Sequence, residues 1–310
     1  MSELTLFING QQIPFSKADI AFSTEQLAHS FSATVPDLNI DSPLPVQFKL
    51  DGKLIFNGQI DSAGDDVNSS SEQTVITGRS LSANLIDSRI KLDAIYNQRF
   101  DQLLKLVVSD FGLTVRSDTD ALPEIPEFQI NAESPLANLA QIAKQQNLMM
   151  IEDNGEIVIQ QPGQHHEQGI ILEVGKNCES LSIKRNFAQQ FYRYEIQGAW
   201  GEESFAVVND ESVNKCRIKV IIADKLQYTE ACKTRALYEK NLAIAKGLHA
   251  SVKVAGLHAL LTGQSLNKTL RVKHYRKKFD ETLLIKTITL SVDDKSESTR
   301  VEFFRPFGVQ

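Results

Sequence analysis

The sequence predicts an α+β chain that is mainly β: a small sandwich or barrel, then an α+β unit, then a second β region interrupted by one helix. Three observations carry this. Short apolar alternations separated by tight polar turns fill roughly the first 95 residues, apolar residues recur at helical spacing twice between about 97 and 145, and alternation resumes from about 170. The 42% apolar and 23% charged content of the 310 residues can build cores and argues against global disorder. A chain of this length is expected to divide into two or three compact units.

The first unit opens with "LTLFING" and "IPFSKADIAFS", followed by "HSFSATVP", which stops at Pro36. In "VQFKLDGKLIFNGQID", Val46, Phe48 and Leu50 alternate, Asp51-Gly52 makes the turn, and Leu54 and Phe56 return, the pattern of a hairpin. A polar loop, 64–72, precedes "VITGRSLSANLIDSRI" (75–90). There a β-branched run, Val75, Ile76 and Thr77, ends at Gly78-Arg79, and Leu81, Leu85 and Ile86 follow at helical spacing. Such a junction either offers free backbone N–H groups to an anion or is a corner that hands the chain to the next unit. An arginine without a glycine-rich loop more often pairs with a nearby carboxylate or packs its stem on a ring.

In "NQRFDQLLKLVVSDFG", Phe100, Leu103, Leu104, Val107, Val108 and Phe111 form one face of an amphipathic helix, with Asn97 as its expected cap and Gly112 as its stop. A second helix opens at Ser134-Pro135 and carries Leu136, Leu139, Ala140 and Ala143 on one face. "LMMIEDNGEIVIQQ" reads as a hairpin around Asn154-Gly155. Strands resume with "GIILEVG", "ESLSIKRN" and "FYRYEIQGAW", and a helix is expected at about 228–247, with Tyr238, Leu242 and Ala245 on one face. "ASVKVAG", "KTLRVKHY", "ETLLIKTITLSVDD" and "STRVEFFRP" complete the β region, the last two separated by a turn at Asp293-Asp294-Lys295-Ser296. No strict internal repeat is visible; "TVITGRS" and "YEIQGAW" are faintly alike as strands closing on glycine. The expected divisions are 1–95, 96–165 and 166–310.

Charge and motif content narrow the function. With 39 acidic and 33 basic residues the net charge is −6, which argues against gripping nucleic acid through its phosphates. Cys178, Cys216 and Cys232 are odd in number and widely spaced, so they read as reduced thiols rather than a disulfide or zinc framework. The N-terminal stretch lacks a basic region followed by an apolar core, and no run reaches the ~18 apolar residues of a membrane span, so a soluble protein made in the cytoplasm is expected. His165-His166 lacks further ligands at metal-binding spacing. Asp65-Asp66 and Asp293-Asp294 are acidic pairs in polar turns, where solvated carboxylates are the rule. "GQSLNKT" (263–269) lacks the Gly-Lys-Ser/Thr ending of a phosphate loop, and neither a Gly-x-Ser-x-Gly elbow nor a Cys–His pair stands out. No catalytic, cofactor-binding or metal residue is therefore assigned. The densest basic run, "KTLRVKHYRKKF" (268–279), places Arg271 and Lys273 on one strand face and Lys277 and Lys278 in the turn; it is either a solvated face, the commoner case for such runs, or a contact for an acidic partner or nucleic acid, with a partner protein the better of those two.

The order of these segments resembles the baseplate hub (tail) proteins of Mu-like contractile-tailed phages and prophages, and is similar to the N-terminal part of type VI secretion spike proteins. "VITGRSLSANLIDS", "FDQLLKLVVSDFGL" with "ESPLANLAQIAKQQNLMMIEDNGEIVI", "YTEACKTRALYEKNLAIAKGLHASVKVAG" and "LLIKTITLSVDDKSESTRVEFFRPFGV" carry the likeness over about 75–308. It implies two small β-barrels interrupted by an α+β domain, with Gly78, Arg79, Leu81, Leu85, Gly198, Trp200, Arg305 and Pro306 as fold markers. It also implies a structural role without enzymatic activity. Three chains would form a pseudo-sixfold ring joining the tail tube to a central spike, beside other baseplate proteins, in a virion assembled in the host cytoplasm. DNA would pass through the channel without specific binding, and no membrane, cofactor or small-molecule substrate is implied. No lysozyme-like or spike segment is recognisable, so puncturing is expected to fall to another protein. The alternatives are a cell-wall-degrading tail enzyme using Asp65 or Asp66, and a glycan- or receptor-binding tail module. The latter is disfavoured by only 7% aromatic residues and one tryptophan, Trp200.

Overall fold

The structure, a computed structural model, describes residues 2–67, 72–120, 122–199, 204–223 and 226–307. The N-terminal strands are β1 (Leu4–Ile8), β2 (Gln11–Ile13), β3 (Lys17–Ser23), β4 (Ser30–Pro36), β5 (Pro45–Leu50), β6 (Lys53–Val67) and β7 (Glu72–Ser80). They are followed by α1 (Ala83–Asp87), β8 (Ile90–Arg99), α2 (Phe100–Val108), β9 (Thr114–Ser117), β10 (Glu124–Glu133), α3 (Pro135–Gln145), β11 (Met149–Asp153) and β12 (Glu156–Gln160). Then come β13 (His165–His166), β14 (Leu172–Glu173), β15 (Ser180–Arg185), β16 (Arg193–Gln197), β17 (Phe205–Asn209) and β18 (Ile218–Ile222). The chain closes with α4 (Thr229–Lys246), β19 (Leu248–Ala255), β20 (Lys268–His274), β21 (Phe279–Val292) and β22 (Glu297–Phe304).

The expected pair of small β-barrels is not confirmed: the mainly β class holds, but the sheets are not closed into barrels. Among the described residues one 14-stranded sheet runs β15-β19-β22-β21-β3-β4-β7-β6-β5-β1-β2, with β13, β14 and β20 attached beside β21. Closure would require the end strands of each group to hydrogen-bond each other. Instead β3 pairs its outer edge with β21, Ala18–Ser23 against Val292–Thr287, so the N- and C-terminal groups become one sheet. The strands of the two groups repeat one antiparallel order: β3-β4-β7-β6 and β15-β19-β22-β21. β22, rather than the "YEIQGAW" segment, is therefore the counterpart of β7. That segment contributes β16, which lies in a separate sheet ordered β17-β16-β18.

Why these strands form is legible in their alternation. Leu6, Ile20, Phe22, Val46, Phe48 and Ile76 point inward beside Val252, Ile288, Leu290 and Phe303, so one core crosses the junction of the two groups. Phe31, Phe48 and Phe56 meet edge to face at centroid distances of 5.3–5.9 Å. The turn dipeptides behave as their residue types require: Asp51-Gly52 (φ 52°, 76°) and Asn154-Gly155 (φ 54°, 99°) both use the left-handed region that closes two-residue hairpins.

A second core lies under α2 and α3, built from Leu85, Phe100, Leu103, Leu104, Val108, Leu139 and Ile157. The helix start there differs from the sequence reading. Asn97 (φ 51°) belongs to β8, which runs on to pair with β10, and Arg99 takes the cap position, its guanidinium bonded to Asp101 at 2.6 and 2.8 Å. Gly112 ends the following turn at φ 69°, as its freedom in the left-handed region allows. Ser134 does precede α3, but its hydroxyl donates to the carbonyls of Leu85 and Ile86 and so ties α3 to the end of α1. A third core, with Tyr194, Ile196, Ala206, Cys232 and Ala236, joins the β16 sheet to α4.

Because Phe48 is fully buried at the centre of the aromatic trio, Phe48→Ala is expected to lower unfolding free energy by about 4 kcal/mol in urea titration, the usual range for deleting a core aromatic side chain.

Candidate functional site

The Gly78-Arg79 junction is the candidate with two opposed readings, and its geometry decides between anion site and corner. β7 crosses close to β6 at a bulge between Ile60 and Ser62. A Cβ at Gly78 would collide with the carbonyl oxygen of Gln59 and sit 2.6 Å from the Phe31 ring, so only glycine permits the approach. Arg79 then leaves the sheet with its guanidinium already committed. Nε donates to Asp61 at 2.6 Å, and the two terminal nitrogens grip Asp87, at the end of α1, at 2.6 and 3.2 Å. The pairing raises the Arg79 pKa, chiefly through Asp87, and holds the Asp87 carboxyl below its ordinary range. Leu81 and Leu85, the next apolar residues, enter the second core, Leu85 fully buried. This is a corner riveted by two ion pairs, to Asp61 and to Asp87.

Beneath it lies a polar cluster that sequence reading missed. Glu152 on β11 is fully buried, and its Oε2 accepts from the Ser80 hydroxyl at 2.5 Å, from the Ser82 hydroxyl, and from the Ser82 N–H at 3.3 Å. Ser80 in turn accepts the His29 N–H at 2.8 Å. The His29 ring donates from Nε2 to the Glu152 backbone carbonyl at 2.9 Å and accepts the Ser23 N–H at Nδ1, 3.5 Å away. Burial pushes the Glu152 pKa up against those donors, while Oε1 finds no hydrogen-bond partner. Burial likewise pushes His29 down to about 4. Serine, histidine and glutamate are the residue types of a hydrolytic triad, but the arrangement is wrong for one. The imidazole faces a backbone carbonyl rather than a hydroxyl, and the adjoining space of about 10 Å³ has room for little more than a water molecule. The cluster is a clasp holding β3, β7, the corner and β11 together. Its only trace in the sequence is a carboxylate amid the apolar run "LMMIEDNGEIVI".

The remaining candidates scatter. Gly198 is packed so tightly that a Cβ would strike the Leu226 carbonyl, and its N–H donates to Ser204 at 2.6 Å. Trp200 lies outside the described residues. Arg305 reaches Glu281 at 3.7 Å, and Pro306 leads into Phe307, which packs on Phe304 and Tyr238. In the basic run, Arg271 is bonded twice to Asp280, at 2.7 and 2.8 Å, and Lys273 lies 3.8 Å from the same carboxylate. Lys277 and Lys278 sit at the hairpin tip beside the 91%-exposed Tyr275, without an ion pair among the described residues. His165 lies 3.8 Å from Asp118 and His166 bonds Thr269 at 3.0 Å. No group of three or more potential metal ligands occurs among the described residues, nor does any helix there have the length and apolarity to cross a membrane. Asp293 receives the N–H groups of Lys295 and Ser296, which lower its pKa and stabilise its own turn.

Comparison with known proteins places this architecture. It matches the 43 kDa tail protein of prophage MuSo2 from Shewanella oneidensis over 98% of both chains, with a TM-score of 0.86 and 22% identity. It matches the tail protein of Neisseria meningitidis MC58 over 98% of this chain and 96% of that one, with a TM-score of 0.85 and 15% identity. The E. coli c3393 protein, a component of the type VI secretion system, gives a TM-score of 0.64 and 12% identity over 98% of this chain and 78% of its own. The class so defined is the phage-tail fold shared with type VI secretion components. Within it, the chain is homologous to the baseplate hub protein gp44 of Escherichia phage Mu, at 24% identity over 275 residues, 80% of this chain and 71% of that protein. No protein-family model matches the chain. The resemblance to Mu-like hub proteins stands, and the relatives carry the names of structural baseplate and tail proteins.

Two expectations follow from the clasp. Glu152→Leu strands the Ser80 and Ser82 hydroxyls in the interior and should cost about 3 kcal/mol in denaturant unfolding, against about 1 for Glu152→Gln, which still accepts from both. The His29 pKa is lower in the fold than the ordinary 6.5, so its contribution is present above pH 6.5 and lost as pH falls through about 4. Between pH 7 and pH 4 the wild type should therefore lose up to about 3 kcal/mol more stability than His29→Gln, read from melting curves. The raised Glu152 pKa acts in the opposite sense, its contribution fading as pH rises, and the Gln variant isolates it.

Proposed function

We propose that this chain is the baseplate hub of a Mu-like contractile tail and works by assembly. Three copies form a pseudo-sixfold ring that joins the tail tube to the central spike and leaves a passage for DNA. The observation that carries the reading is the full-length match in fold to a Mu-prophage tail protein together with homology to the Mu hub. The doubled strand order supports it, because three chains with two like strand groups each present six to the tube. So does the site chemistry: the most conspicuous arginine and the buried carboxylate are both spent on internal bonds.

Cyclic symmetry lets one heterologous contact repeat and terminate. Three copies carry three times −6, or −18, and a passage lined with part of that charge lets DNA slide without sticking. The uncommitted cations at the β20–β21 tip, Lys277 and Lys278, are the proposed contact for an acidic neighbouring protein of the baseplate. Light scattering of the purified protein is expected to give a mass of about 104 kDa, three times 34.6 kDa. A stable monomer at high concentration would remove the ring.

A further inference from the structure

The two strand groups of the large sheet share one design, and only one of them has its long outer edge filled. β6 and β21 run 15 and 14 residues. Each has a bulge midway, Ile60/Ser62 in β6 and Ile285/Thr287 in β21. Each has its first half covered by a neighbour, β5 on β6 and β20 on β21. Past the bulge they differ. β21 is covered by β3 from Thr287 to Val292. β6 from Asp61 to Val67 is exposed throughout and pairs only with β7 among the described residues. The strand that stands in the second group where β3 stands in the first is β15, and among the described residues it pairs only with β19. Each chain therefore carries, on the outer half of β6 and on β15, two open edges that correspond to the two edges joined inside it.

We infer that the outer half of β6 in one copy pairs antiparallel with β15 of the next copy, repeating between chains the β21–β3 junction made within the chain. This rests on the ring proposed above and assigns its subunit contact. The register follows from the internal equivalences. Ile60 matches Ile285 beside β7 and β22, and Ile20 matches Ile183 beside Phe31 and Ala250. Transferring the Thr287–Ser23 to Val292–Ala18 pairs sets Ala63, Gly64, Asp65, Asp66 and Val67 opposite Arg185, Lys184, Ile183, Ser182 and Leu181 of the neighbouring copy.

The chemistry of the two edges agrees with that register. One edge carries Asp65 and Asp66, the other Lys184 and Arg185, and none of the four has an ion-pair partner among the described residues. The pairing puts Asp65 diagonal to Arg185 and Asp66 diagonal to Lys184, each pair on one face, within reach of long side chains. Val67, 66% exposed in the single chain, meets Leu181 on the core side. An acidic edge repels its like and accepts only the basic one, so association runs head to tail and does not stop at a twofold dimer.

The register is tested by cross-linking. In a Cys216→Ser background, which removes the exposed native thiol, Asp66→Cys with Ser182→Cys should yield disulfide-linked multimers on a non-reducing gel. Each single variant should stay monomeric there, and so should Ser62→Cys with Ser182→Cys, four residues out of register and beyond disulfide reach. The charge arm uses light scattering. Asp65→Lys/Asp66→Lys and Lys184→Glu/Arg185→Glu should each lower the mass threefold, and the four changes in one chain should restore it. If the wild type is a multimer whose mass neither reversal alters, or the in-register cysteines fail to link it, this pairing is overturned while the ring survives. A monomeric wild type overturns both.

Discussion

A β-strand must satisfy the hydrogen-bonding groups along both edges, or leave them to water or to another chain. This molecule is organised by where that demand is met. Its decisive junction is six residue pairs long, Ala18–Ser23 of β3 against Thr287–Val292 of β21. These strands come from opposite ends of the chain, so the junction turns two separate strand groups into one sheet over one core that contains Phe22 and Ile288 alike. Everything between Ser80 and β13, and everything from β16 to α4, is hung on that frame. The cost is kinetic: contacts of such long sequence separation form late and slowly.

The attachment of the α+β unit shows how the frame is kept rigid. Gly78 lets β6 and β7 approach closely, Arg79 pins α1 through Asp87, and Glu152 reaches back from β11 to both serines of the corner. A buried carboxylate is expensive unless hydrogen-bonded, so its three donors determine where β11 sits as well as holding it there. The same groups that would have made an anion site or a catalytic cluster are thereby consumed as fasteners.

Surface charge follows a similar economy. Arg271 and Lys273 face Asp280 across their own hairpin, Lys286 and Lys246 share Glu25, and Glu239 is bound by both Lys219 and Arg235. Lys277 and Lys278 at the tip after β20, Asp65 and Asp66 on β6, and Lys184 and Arg185 on β15 have no such ion-pair partner among the described residues.

Local pattern was enough to read the mainly β class, the amphipathic helices around Leu103 and Leu139, and the hairpins at Asp51-Gly52 and Asn154-Gly155. Each depends on residues close in sequence, through alternation, helical spacing or a backbone φ above zero. The order of segments was enough to recognise the class of protein. Barrel closure was not legible, because a strand's alternation is the same whichever partner its edge finds; β3 chose β21 through contacts no local window contains. Nor was the role of Arg79 or Glu152, since a guanidinium or carboxylate acquires its meaning only from what the fold sets beside it. Composition and periodicity determined the class and most of the elements, though the polar run at 64–67 extends β6 and Asn97 lies in β8; the tertiary structure alone decided which edges meet, because hydrogen bonding between strands is indifferent to side-chain identity while burial and charge are not.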